Sequence, residues 1–190
     1  MKYFSQLQLP AYPALISDLT KLLDNSIVNW GPNKQICLNS IVGKSTDIAL
    51  GTSSLDYDWD NASTVIEHGI SRIIVPKKEV PLKDSDFTVL CDQFKNTEFE
   101  NVYNMLNSNF KIGRVRLIKS EPKTCMSWHI DHSQRIHYPL CTQEGCLMVI
   151  KDEVMHLPQD TWWMTNTVEL HTAFNSSKSS RIHLVVCLID

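Results

Sequence analysis

A chain of 190 residues, 43% hydrophobic and 21% charged with a net charge of −3, fits one domain and can bury a core without disulfides or metal to staple it. The acidic balance, with no basic run longer than Lys77-Lys78, excludes the electrostatic footprint of nucleic-acid binding. With no apolar run near the ~18 residues of a membrane span, no signal-peptide pattern and six irregularly spaced cysteines lacking a C-x-x-C, a soluble cytoplasmic protein with reduced thiols and no membrane partner is expected.

In chain order, "YPALISDLTKLLDNS" places Leu15, Leu19, Leu22 and Leu23 at helical spacing, predicting an amphipathic helix packed on the body. The segments "QICLNSIV", "TDIALG" and "SRIIVP" are short, β-branched and bounded by turn residues, so they predict strands. "VPKKEVPLKDSDF" is a proline-containing connection. "TEFENVYNMLNSNF" predicts a second helix, with Thr97 as N-cap and Glu100 at the capping-box position. From Gly113 onward strand patterns follow at short intervals: "GRVRLIKS", "RIHYPL", "CLMVIKD", "EVMHLP", "TWWMTN" and "RIHLVVCLI". That rhythm predicts a mainly β fold, a jelly-roll core over residues 111–190 with the helices and supporting strands of residues 1–110 packed outside, in a single domain.

The chemistry concentrates in "CMSWHIDHSQRIHYPL", where three histidines, an aspartate and an arginine share nine positions. At strand geometry His129 and Asp131 face one way and Ile130 and His132 the other. An imidazole beside a carboxylate takes two positions of a divalent metal. His171, from a second histidine cluster, would complete a 2-His-1-carboxylate triad with open positions, the arrangement of non-haem Fe(II) oxygenases. The motif alone carries little, because with 7 His and 13 Asp chance produces a His-x-Asp about 0.5 times in such a chain. More weight comes from Arg181, which opens the last strand, and from Arg135 and His137, which share a face. An arginine inside an apolar strand is costly to bury unless an anion meets it, and its planar fork suits a carboxylate. A dicarboxylate cosubstrate with an arginine at each end would satisfy both.

The ordered set P-x6-H-x-D, R-x-H-x-P-L and H-x9-R-x-H-L, with "RVRLIKSEP", "DTWWMTN" and "HTAFNSS" around it, resembles the aspartyl/asparaginyl β-hydroxylase family of Fe(II)/2-oxoglutarate dioxygenases, which includes free-proline hydroxylases. The resemblance covers about residues 111 to 190. It implies a double-stranded β-helix, cupin-like core, with His129, Asp131 and His171 as iron ligands. It further implies Arg181 on the distal carboxylate of 2-oxoglutarate and Arg135 with His137 beside the metal-chelating carboxylate. O2 would take the remaining iron position, and hydroxylation of an amino acid or an Asp/Asn/Pro-type side chain would accompany release of succinate and CO2. Some peptidyl members lack the carboxylate ligand; its presence as Asp131 resembles the small members acting on free amino acids, and disfavours halogenation. A small polar residue that peptidyl members use beside the cosubstrate falls on Ile118.

Around this set, Arg116, Trp128 and His183 are candidate substrate contacts. Each has a plainer reading: a solvated edge arginine, a core aromatic, a hydrogen-bonded core histidine. Two other functions stay open: a metal-binding jelly-roll module without turnover, and a structural zinc site using Cys141 and Cys146 with His137 or His156. Neither the oligomeric state nor the substrate, amino acid or peptide, is written in the sequence.

Overall fold

Alternation along the second half of the chain closes into two facing antiparallel sheets. The computed structural model describes residues 2–58, 61–68 and 70–189. The larger sheet contains β1 (Phe4–Leu7), β2 (Gln35–Cys37), β7 (Ile112–Ser120), β9 (Arg135–Cys141), β12 (Trp162–Thr165) and β14 (Arg181–Leu188), in the order β1-β12-β9-β14-β7-β2. The smaller holds β8 (Thr124–Cys125), β10 (Cys146–Ile150), β11 (Glu153–Met155) and β13 (His171–Asn175), in the order β11-β10-β13-β8. Two ribbons, β3 (Asn39–Ser40) with β6 (Val89–Leu90) and β4 (Ser63–Glu67) with β5 (Ile70–Ile74), complete the strands. The architecture is the mainly β arrangement expected, with two helices outside.

Those helices, α1 (Leu15–Asp24) and α2 (Glu98–Asn109), lie where the periodicity predicts them. Leu15, Leu19 and Leu22 of α1 and Phe99, Val102, Tyr103 and Leu106 of α2 form one buried cluster with Val115, Leu117, Ile136, Tyr138, Leu140, Trp162, Leu184 and Val186 of the large sheet. The main core therefore sits between the helices and the outer face of that sheet. Thr97 caps α2 by accepting from Phe99 N–H at 3.2 Å. Glu100 departs from the expected capping box: it accepts from Asn96 N–H at 2.7 Å, one residue further out than the cap.

Three sequence expectations change. "TDIALG" is not a strand, because the Asp47 side chain accepts from Ala49 and Leu50 N–H (3.0 and 2.9 Å) and curls the segment into a turn. The turn ends at Gly51, where φ is +90° and an added Cβ would meet the Phe87 ring at 2.7 Å. "SRIIVP" is a strand, but of the separate β4–β5 ribbon rather than of either large sheet. Conversely, β1 and β2 bring the first forty residues into the large sheet, where β1 pairs with β12 and β2 with β7. Among the described residues no helix is long and apolar enough to cross a membrane, and all six cysteines are unpaired.

Asn39 joins these early strands to β7. Fully buried, it donates through Nδ2 to the carbonyls of Phe87 (2.7 Å) and Gly113 (2.8 Å) and accepts Val115 N–H at 2.8 Å. Asn39→Ala strips three buried backbone groups of partners, at about 1 to 3 kcal/mol for each left unsatisfied. We expect the urea midpoint to fall accordingly with an unchanged m-value; a loss below about 0.5 kcal/mol would show that water replaces the amide.

Candidate metal centre

The three central strands of the large sheet carry opposite chemistry on their two faces. Val115, Leu117, Ile136, Tyr138, Leu184 and Val186 point to the helices. The residues between them, Arg114, Arg116, Arg135, His137, Arg181 and His183, line a cavity of about 1130 Å³ facing the small sheet.

From the small sheet come the histidines. His129 and His171 form a bridge beyond the β8–β13 ladder, each N–H donating to the other's carbonyl at 3.0 and 2.9 Å, with ring centroids 4.2 Å apart. His129 Nδ1 lies 2.7 Å from the Ser127 carbonyl and His171 Nδ1 lies 2.9 Å from the Glu169 carbonyl. A carbonyl only accepts, so both protons sit on Nδ1 and both Nε2 atoms keep a free lone pair, the tautomer a metal ligand needs. Asp131, tethered by its N–H to the Thr167 carbonyl at 2.9 Å, sets Oδ2 3.6 Å from His171 Nε2. One ligand atom from each of His129, Asp131 and His171 falls within 4.8 Å of the other two. Though this stretch is a bridge rather than a regular strand, the expected alternation holds: Trp128 and Ile130 are 54% and 62% exposed, and His132 is turned outward.

Burial pushes the Asp131 carboxyl up, but the Arg135 guanidinium beside it outweighs this and holds it below the usual range. Burial likewise lowers His171, so both ligands are poised in the metal-binding protonation state.

Arg135 lines the cavity beside His137 and is also ion-paired from behind. Its Nε–H donates to Asp131 Oδ2 at 3.1 Å, and Nη1 lies 3.7 Å from Asp84 Oδ2 and against the Cys187 sulfur. With two carboxylates facing it, its charge is already met. Arg181 differs. It is buried, pairs with no carboxylate among the described residues, and is brought down by burial to about 10, still cationic at neutral pH. Arg181 reaches both ring nitrogens of His183, with Nε–H donating to Nε2 at 2.9 Å and Nη2 lying 3.0 Å from Nδ1, and His183 Nδ1 faces His137 Nδ1 at 3.4 Å. His137 Nε2 is a buried atom with no hydrogen-bond partner. A buried guanidinium without a carboxylate partner fits an anionic guest.

Of the other candidates, Arg116 lines the cavity and donates to Gln35 Oε1 at 3.0 Å, while its Nε is buried without a partner. Burial, then the neighbouring Arg114, brings it down to about 9; it is no solvated edge arginine. Trp128 is corrected: it points outward and is absent from the cavity lining, because alternation sends it away from His129. The zinc reading finds no support, since His156 Nδ1 is bonded to the Cys146 carbonyl at 2.9 Å and no metal-sized group among the described residues includes Cys141 or Cys146. Residues with no sequence signal also join the site: Asp84, Gln35 and the 47–55 turn that walls the cavity.

Two imidazoles and a carboxylate converging on one point, with open space beside them, define the class of a non-haem metal oxygenase centre. The family model described as aspartyl/asparaginyl beta-hydroxylase matches residues 73–190. The chain belongs to that family, and is thereby a non-haem dioxygenase of the hydroxylase type. No curated protein matches it in sequence. Similar solved structures include AviO1 from Streptomyces viridochromogenes Tue57, at 15% identity over 99% of this chain and 90% of that one, TM-score 0.47. An oxidoreductase of the 2OG-Fe(II) oxygenase family from Burkholderia pseudomallei is 13% identical over 96% and 94%, TM-score 0.39. A cupin domain from Bordetella pertussis Tohama I is 14% identical over 40% and 81%, TM-score 0.36.

Burial first, then Arg181, brings His137 down to about 3, and burial also drives His183 well below its ordinary value of 6.5. Both are neutral in the folded protein, whereas the unfolded chain protonates them below pH 6.5. The unfolded state then binds more protons, so stability is full above that pH and declines as pH falls from 6.5 toward 3. Urea titrations across this window should show the decline, and His137→Gln should reduce its slope; an unchanged slope would mean His137 is charged when folded.

Proposed function

We propose that the protein holds Fe(II) through His129, Asp131 and His171, binds 2-oxoglutarate, and hydroxylates an amino acid or an Asp/Asn/Pro-type side chain with release of succinate and CO2. The observation that carries this reading is the buried Arg181, without a carboxylate partner, on the same cavity face as His137 Nε2, a buried atom that lacks a hydrogen-bond partner. A dicarboxylate with one end at the metal satisfies both. When bound, the iron supplies activation of O2 coupled to oxidation of the cosubstrate.

The protein's own residues do the rest. Carbonyls of Ser127 and Glu169 fix the ring tautomers, so the ligands need no proton loss to coordinate. Arg181 receives the distal carboxylate, and His183, neutral and hydrogen-bonded to it, holds the guanidinium in place. His137 donates Nε2–H to an oxygen of the cosubstrate. Arg135 steadies Asp131 rather than the cosubstrate. Arg116, paired only with Gln35, receives a substrate carboxylate on the cavity side walled by the 47–55 turn.

The test is release of succinate from 2-oxoglutarate with Fe(II) and ascorbate across a panel of free amino acids and peptides. Substrate-stimulated decarboxylation is expected, and its absence across the panel would favour a metal-binding module without turnover. Asp131→Ala should abolish turnover while leaving far-UV circular dichroism unchanged; retained activity would remove Asp131 from the ligand set. Arg181→Ala loses a charge-assisted bond of about 1.5 to 3 kcal/mol, so the apparent KM for 2-oxoglutarate should rise ~10- to 150-fold. An unaltered KM would show that another group anchors the distal carboxylate.

A further inference from the structure

Asp84 lies in a short 3-10 turn, Asp84–Asp86, within a stretch whose sequence predicts only a connection. Its carboxylate is 14% exposed and sits between two buried arginines, 2.9 Å from Arg114 Nε and 3.7 Å from Arg135 Nη1. The contact to Arg114 is an ion pair off the line of a hydrogen bond, since neither atom has a hydrogen-bond partner. Arg114 is fixed from its other side by the carbonyls of Gly51, at 2.6 Å, and Ser53, at 3.2 Å.

This placement depends on Gly113. A Cβ there would meet the Asp84 carbonyl oxygen at 2.6 Å and carbonyl carbon at 2.8 Å, so only glycine lets the turn lie this close to β7. The consequence reaches the metal centre through Arg135. Its guanidinium, 4% exposed, needs a negative partner because an uncompensated buried charge is costly. It has two: Asp131 and Asp84. Without Asp84 the guanidinium would be neutralised by Asp131 alone, and a carboxylate committed to an arginine is a poorer ligand for a cation.

We propose that Asp84 is a positioning residue for the metal centre: it holds Arg135 so that Nε–H orients the Asp131 carboxylate toward His129 and His171, and it shares the charge that would otherwise compete with the metal. This rests on the His129, Asp131 and His171 centre described above. Groups that orient metal ligands from behind change metal affinity by about 10- to 100-fold.

The test is a Co(II) titration of the full chain, followed by the absorption bands of the bound ion, with His171→Ala as the ligand control. Asp84→Asn should weaken Co(II) binding about 10-fold or more. Asp84→Glu, which keeps the charge, should recover most of the affinity. Gly113→Ala pushes the turn off β7 without changing any charge and should weaken binding in the same direction. An Asp84→Asn protein that binds Co(II) within about twofold of the parent, with the same bands, overturns the proposal even if its thermal midpoint is lower. The metal centre itself then still stands, provided His171→Ala has lost those bands. His171→Ala bands identical to the parent's overturn the centre, and the role of Asp84 with it. Should Asp84→Asn not fold, Gly113→Ala decides: a folded variant with parental Co(II) affinity overturns the proposal.

Discussion

The two-residue alternation of β7, β9 and β14 is the constraint on which everything else rests. On these strands aliphatic residues pack under the helices while arginines and histidines face the cavity. A slip of one residue would exchange the faces, burying guanidinium groups beneath α1 and α2 and filling the site with leucine and valine. The main hydrophobic core thus lies outside the sheet, on its helical side, and between the sheets a smaller apolar cluster of Phe4, Met148, Ile150, Trp163 and Ala173 leaves the face of β7, β9 and β14 for chemistry. β14 carries register irregularities at Ile182/His183 against β9 and at Val186/Leu188 against β7, the first falling between its site residues Arg181 and His183.

Within the cavity the cationic groups divide by how their charge is met. Arg114 and Arg135 face Asp84 and Asp131, a closed set that braces the Asp131 carboxylate. Arg181 and Arg116 face no carboxylate among the described residues, and burial depresses both. The neutral His137 and His183 beside Arg181 add donors and no charge, so this end of the cavity is cationic and its unmet need is for an anion. Under the proposed function that need selects the cosubstrate, and the same physics makes the site sensitive to acid.

The N-terminal layer is part of the site rather than a cover for it. The family match begins at residue 73, yet Gln35 on β2 bonds Arg116 and the 47–55 turn walls the cavity. Asn39 ties this layer to β7 through three hydrogen bonds, so the part of the chain without motifs is locked in register to the part that carries them.

Much of this was legible in one dimension. Periodicity placed α1, α2 and, from Gly113 onward, β7, β9, β10, β11, β12 and β14, because amphipathic spacing is a local property of a helix or strand; it did not place β8 or β13. That His129, Asp131 and His171 converge was readable because metal-site chemistry restricts residue type and alternation restricts facing; Trp128, next to His129, is turned outward by that same alternation. The turn at 46–51 escapes a weak β-propensity because the Asp47 carboxylate accepts the backbone N–H groups of Ala49 and Leu50. What only the tertiary structure decided was pairing between residues far apart in the chain: that Arg135, while lining the cavity, meets both Asp84 and Asp131, that Gln35 reaches Arg116, and that His137 Nε2 ends without a partner. Sequence specifies which groups carry charge and which face they take; which charges neutralise one another depends on distances of a few ångströms that exist only once the sheets have closed.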